Sequence, residues 1–291
     1  MLFENQRPGI YSRYEIAGYY GGGKGGAALL LPCPTGEAPG VLRLESYHQG
    51  LEAFSGNLLA LDCLRLLFGG GAGEVAVILA AGCLPGLEEL GLLGGVRAVV
   101  SGFTLPDELS ALRDFAEKST REQRECIAFA GLGEPQAAIA AAPLLGSGRV
   151  VLCCPTVTLE EDRAHPLYGA CALAAAVLGA HSPIHNFNGE SFPALREAAI
   201  LPEDAVQALL KAGVSVFEKI GGGVELIRAV TTEAGNLRSL NTVLIIDNVM
   251  SGIRGSLRQK LRPQETPLAR LGCCSGHWDA KAPEEAAVFR N

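Results

Sequence analysis

The residues that come nearest to a chemical signature are Gly21-Gly22-Gly23-Lys24-Gly25-Gly26. They satisfy G-x-G-x-x-G, and Glu45 follows about 20 residues on, where a dinucleotide site keeps its ribose-binding acid. That chemistry needs a helix N-terminus directly after the glycines, so that its free N–H groups face the pyrophosphate. Here the next residues are AALLLPCP, and Pro32 and Pro34 make them a strand and a turn. Residues 18–24 are likewise a near-miss to a phosphate loop. Gly25 stands where a magnesium-binding hydroxyl belongs, and again no helix follows. The other candidates are equally incomplete. His181 and His185 are four apart, but Pro183 between them forbids a shared helix face. Cys153 and Cys154 adjoin in an apolar run that reads as a strand, where neighbours point to opposite faces and cannot share one ion. Cys273, Cys274 and His277 lack a second cluster. Ser147, between Gly146 and Gly148, lacks the strand–elbow–helix context of a hydrolase nucleophile. Asp62, Asp107, Asp114 and Asp162 form no recognisable carboxylate pair. The reading is therefore no catalytic, cofactor-binding or metal residues and no cofactor. A nucleotide- or small-molecule-binding α/β enzyme stands as the alternative.

Composition narrows the field further. The chain has 291 residues, 48% hydrophobic and 19% charged, enough for a sizeable core. A net charge of −7 and 6% aromatics supply neither the electrostatic footprint nor the stacking surface of a nucleic-acid binder. Nine cysteines are an odd count, and MLFENQRPGI has no basic-then-apolar leader, so the thiols read as reduced, buried small hydrophobes in a cytosol. No apolar run reaches the roughly 18–20 residues of a membrane span, so no membrane insertion is expected.

The elements that would hold these residues fall into four pieces. Residues 1–22 form an N-terminal arm, with an extended stretch over 10–16. Residues 23–90 carry strands at 27–31, 41–44 and 74–79 and a helix at 57–68. Residues 91–262 alternate strands (96–100, 125–130, 150–154) with helices (106–118, 134–143, 166–178, 202–212). Short apolar runs alternating with helical patterns predict a layered α/β fold, its parallel sheet covered by helices on both faces. Two β-branched runs, 214–220 and 224–230, flank Gly221-Gly222-Gly223, which is hairpin chemistry. A long amphipathic helix follows, with Val243, Ile246, Met250, Ile253, Leu257 and Leu261 at steps of three or four. Arg258, Lys260 and Arg262 suit its C-terminal dipole and Pro263 ends it. Residues 263–291 are different: they hold the sole Trp and two adjacent Cys and show no strand alternation, so they read as an atypical, truncated or disordered tail.

In this order the segments resemble the tail sheath proteins of contractile phage tails and related injection particles. RPGIY (7–11) resembles the family's opening, and HPLYGACALAAAVLGAHSPIHNFNGES (165–191) its helix and following loop. ALLKAGVSVFEKIGGGVELIRAVTT (208–232) resembles its hairpin, and SLNTVLIIDNVMSGIRGSLRQKLR (239–262) its late helix. The likeness covers 7–262 and does not extend into 263–291. It implies a structural protein with a subtilisin-like layered core and no transferred catalysis. It implies hexameric rings stacked helically around an inner tail tube protein, between a baseplate and a tail terminator. Assembly would take place in the bacterial cytoplasm, and the product would be a contractile tail. It further implies an assembly arm at Arg7, Pro8, Gly9, Ile10 and Tyr11 that adds a strand to neighbouring subunits, swinging on a hinge at Gly21, Gly22, Gly23, Gly25 and Gly26. Head-to-tail contacts that do not close give helices, and contraction is a rigid-body rearrangement within them.

Overall fold

The computed structural model describes residues 25–34, 38–160, 162–180, 182 and 184–260. The arm residues Arg7 to Tyr11, hinge residues Gly21 to Gly23, and residues 261–291 lie outside them.

The chain opens with β1 (Gly26–Pro32) and β2 (Gly40–Leu44), then α1 (Tyr47–Ala53) and α2 (Leu58–Gly69). Next come β3 (Glu74–Ala80), α3 (Cys83–Gly91), β4 (Val96–Ser101), α4 (Pro106–Arg121), β5 (Ile127–Gly131) and α5 (Pro135–Leu145). Then β6 (Val150–Cys154), β7 (Val157–Thr158), β8 (Ala164–His165) and α6 (Leu167–Gly179) follow. The last run is β9 (Glu190–Ser191), β10 (Glu197–Ala198), α7 (Glu203–Ala212), β11 (Val214–Ile220), β12 (Gly223–Arg228) and α8 (Leu240–Lys260).

Nine strands make one sheet in the order β2-β3-β1-β4-β5-β6-β11-β12-β9. From β3 to β11 every pairing is parallel, while β2, β12 and β9 join antiparallel at the two sides. The parallel strands are buried on both faces, which is why they read as continuous apolar runs. Leu29, Leu31, Phe129, Val151 and Cys153 point to one side, where α2 and α6 pack. Leu30, Ala128, Val150, Leu152 and Cys154 point to the other, beneath α3, α4, α5 and α7. Cys153 and Cys154 are thus on opposite faces, as the alternation requires. β1 pairs with β4, so residues on either side of position 90/91 share one sheet. A small second sheet, β10-β7-β8, is not hydrogen-bonded into the large one, though its β10 lies against β11 and β12.

Two helices were not evident in the pattern. In α3, Pro85 and Gly86 look like breakers, but Pro85 occupies the first turn, where no N–H is needed. α1 is short and buries only Gly50, so it has little apolar rhythm to read. The backbone contacts form one compact unit ending at Asn248 and a second beginning at Val249, within α8.

Candidate functional site

The β11–β12 hairpin is one of the segments that leave backbone open among the described residues. Gly221 and Gly222 form its turn with φ of +61° and +117°. Both central residues of a type I′ turn need positive φ, and only glycine takes it without cost. The base of the hairpin is firmly held. Phe217 is buried edge-on against Phe192, with ring centroids 5.4 Å apart, and Asn188 Oδ1 accepts from Ala229 N at 2.9 Å. Its distal half is not. β11 pairs with β6 only at Val214, Ser215 and Val216, and β12 pairs with β9 only at Glu225 and Leu226. Beyond those positions the outer edges have no ladder partner among the described residues. Glu218, Lys219 and Ile220 are exposed, and Lys219 pairs with Glu197 of β10. An open edge is a template for another strand.

From the hairpin the chain crosses to α8 through a set of satisfied hydroxyls. Ser215 Oγ donates to Val230 O and accepts from Val230 N, both at 3.0 Å. Thr231 Oγ1 donates to Leu237 O at 2.7 Å. Thr232 Oγ1 accepts from Ser147 N at 3.1 Å and donates to Ser147 O at 3.0 Å. Ser147, considered above as a nucleophile, is therefore a buried part of this junction, with its Oγ accepting from Arg149 N. α8 itself is anchored by Leu240 and Val243 and by a bidentate pair. Arg149 Nη1 and Nη2 donate to Asp247 Oδ2 and Oδ1 at 2.5 and 2.7 Å, with the side chains only 14% and 8% exposed.

The remaining apolar stripe of α8 is not core. Of the periodic residues, Val243 is buried, but Ile246, Met250, Ile253 and Leu257 are 41–51% exposed, and Val249 joins them. Leu261 and Arg262 lie outside the described residues. These exposed residues share one face of the helix at the steps of three or four of a helix seam.

The other candidates have structural positions. Asp62 is buried, accepting from Arg163 Nε and Nη2 at 2.6 and 2.7 Å and from Tyr168 Oη at 2.9 Å. The hydrogen bond to Asp62 pushes the Arg163 guanidinium up, while burial first and Asp62 second push the Tyr168 phenol up. Beside them His165 accepts from Leu167 N through Nδ1, and burial lowers its pKa. Asp107 lies in the first turn of α4, Asp114 pairs with Arg113, and Asp162 pairs with Arg196. His185 Nε2 and Glu190 Oε2 are 2.6 Å apart. His181, Pro183, Cys273, Cys274 and His277 are outside the described residues. Burial pushes the thiols of Cys83 and Cys126 up to about 11 and that of Cys154 up to about 12. Among the described residues, no three of His, Cys, Asp and Glu gather as a metal site. Gly26 begins β1, where an added Cβ would stand 2.9 Å from Gly95 O, so its lack of a side chain serves close packing inside the sheet. Gly25 abuts Leu178 and Arg97.

Neither arginine that secures Asp62 and Asp247 was singled out from the sequence. They lie 101 and 98 residues from their partners, beyond any local pattern.

No protein-family model matches the chain, and no curated protein matches it in sequence. Solved structures do match. The sheath tail protein of Desulfitobacterium hafniense is 10% identical, with a TM-score of 0.66 over 91% of this chain and 87% of that one. The helical sheath of the anti-feeding prophage in its contracted state is 14% identical, with a TM-score of 0.63 over 96% and 87%. The PVC sheath complex of an extracellular contractile injection system, also contracted, is 12% identical, with a TM-score of 0.64 over 93% and 79%. The chain has the fold of these sheath subunits across nearly its whole length.

Proposed function

We propose that this protein is the subunit of a contractile tail sheath: it polymerises helically around an inner tube and shortens to drive that tube through an envelope. The observation that carries the reading is the coincidence of a sheath fold over 91–96% of the chain with a hairpin whose edges are open among the described residues and an exposed apolar stripe on α8. Both features suit self-assembly, and neither suits catalysis. Main-chain hydrogen bonds along the hairpin edges give strength without demanding a particular side chain. In this reading the arm residues Arg7 to Tyr11 supply the added strand, the glycines before β1 let the arm change direction, and the α8 seam faces a neighbouring subunit or the tube.

The polar constellations support a non-enzymatic role, because each is consumed by internal pairing. Ser147 closes the junction to α8, and Asp62 and Asp247 are each bound bidentately by an arginine. The partners in this reading are further copies of the chain in hexameric rings, an inner tube protein, a baseplate and a terminator, with assembly in the cytoplasm of a bacterium. The test is negative-stain microscopy of the chain produced together with the products of its neighbouring genes. Striated tubes or stacked rings are expected. A chain that stays monomeric beside a well-formed tube overturns the proposal.

A further inference from the structure

Tyrosine is unevenly distributed in this chain. It has six, and four of them, Tyr11, Tyr14, Tyr19 and Tyr20, fall in the first 20 residues. Tyrosine brings a large, rigid, amphipathic contact surface at low entropic cost, and such clusters mark segments that dock.

The described structure holds a groove that suits such a segment. Its volume is about 400 Å³, and its walls include Leu66 of α2, Ala172 of α6, Phe192 and Pro193, with Arg65 and Glu160 as its charged members. An apolar slot of a few hundred Å³ with a few polar groups is what buries a ligand-sized aromatic group. Phe192 and Pro193 give a flat apolar wall, the Arg65 guanidinium can lie over a ring face, and a carboxylate can accept from a phenol.

The end of the described chain lies close to this groove. Gly73 N donates to Gly25 O at 3.4 Å. Gly70, three residues before Gly73, forms part of the groove wall, which puts Gly25 within about 15 Å of it. Five extended residues, 20–24, span about 17 Å.

We propose that this groove is the dock for Tyr19 and Tyr20 of the same chain, which hold the arm against its own subunit before assembly. Docking at Tyr19 and Tyr20 shortens the reach of residues 7–11, which supply the added strand in the sheath reading, and release restores that reach. The role given to the dock rests on the sheath reading, but docking itself needs no second copy, so the two can fail separately.

The test is photo-crosslinking in the full chain with Tyr20→benzoylphenylalanine. Equal amounts of ¹⁴N- and ¹⁵N-labelled protein are mixed at a concentration where sedimentation shows monomer. The expected result is cross-linking within single chains, mapped to residues 65–70 and 192–194. It should fall at least fivefold in a background of Ala194→Trp, which fills the groove from an exposed rim position and leaves the core untouched. Cross-links between light and heavy chains, cross-links scattered elsewhere, or a yield unmoved by Ala194→Trp each overturn it. Loss of the cross-link in protein that still assembles rejects the dock alone. A retained cross-link in protein that never assembles supports the dock and rejects the sheath.

Discussion

Replacing Asp247 by Ala removes one half of the pair that fixes α8. In the native protein both carboxylate oxygens accept from the Arg149 guanidinium at 2.5 and 2.7 Å, and water reaches little of either side chain. Removing one partner of a buried pair leaves an uncompensated charge and costs about 3–5 kcal/mol. Both side chains keep some exposure, so the lower end, about 3 kcal/mol, is expected here. For a chain of this size that lowers the melting temperature by roughly 6–12 °C. Arg149→Met with Asp247→Leu removes both charges and keeps the bulk, and should lie within about 1 kcal/mol of the native protein. Urea denaturation of the native protein, Arg149→Met, Asp247→Leu and the double variant closes the cycle, and with each single losing about 3 kcal/mol and the double about 1, a coupling of about 5 kcal/mol is expected. Amide exchange in the first half of α8 should accelerate in Asp247→Ala beyond the global change, because only the apolar contacts of Leu240, Val243 and Leu244 and the Asn241 bond to His185 O then hold that segment among the described residues. A loss below about 1 kcal/mol in Asp247→Ala, or a double variant as unstable as the sum of the singles, would refute the claim that the pair is buried and specific.

Four further outcomes are expected. Gly222→Val forces a β-branched residue to φ +117° in the hairpin turn and should cost about 1–2 kcal/mol by thermal melting, while the milder Gly221→Asn at φ +61° should be nearly silent. Met250→Lys and Ile253→Lys fall on half-exposed α8 positions; they should change subunit stability by less than about 0.5 kcal/mol yet abolish tube formation seen by microscopy. His165 has its pKa lowered by burial, so the unfolded chain binds its proton more readily. Its contribution to stability is present above the unfolded value of about 6.5 and is lost as pH falls through the lower folded value. His165→Gln should therefore flatten the melting temperature between pH 7 and pH 5. Cys83, Cys126 and Cys154, raised to about 11, 11 and 12, should remain unmodified by a disulfide reagent at pH 8 in folded protein and react promptly in urea.

The sequence by itself determined the elements whose signal is local. Continuous apolar runs with intervening helical patterns give β1, β3, β4, β5 and β6 and, of the helices between them, α2, α4 and α5, and two glycines between β-branched runs give the β11–β12 turn. It also exposed the defects of each enzymatic motif, because a phosphate site needs a helix in a fixed place and Pro32 and Pro34 deny it. Only the tertiary structure decided the rest. Strand order places β1 between β3 and β4, which no periodicity encodes. The apolar rhythm of α8 is plain in the sequence, but whether that face meets core or solvent is not; Val243 is buried and Ile253 is half exposed. Asp62 and Asp247 look like any acids until residues about a hundred positions away close on them. Periodicity records what a residue shares with its neighbours along the chain, whereas burial and charge pairing are settled by whichever distant segment the fold brings against it.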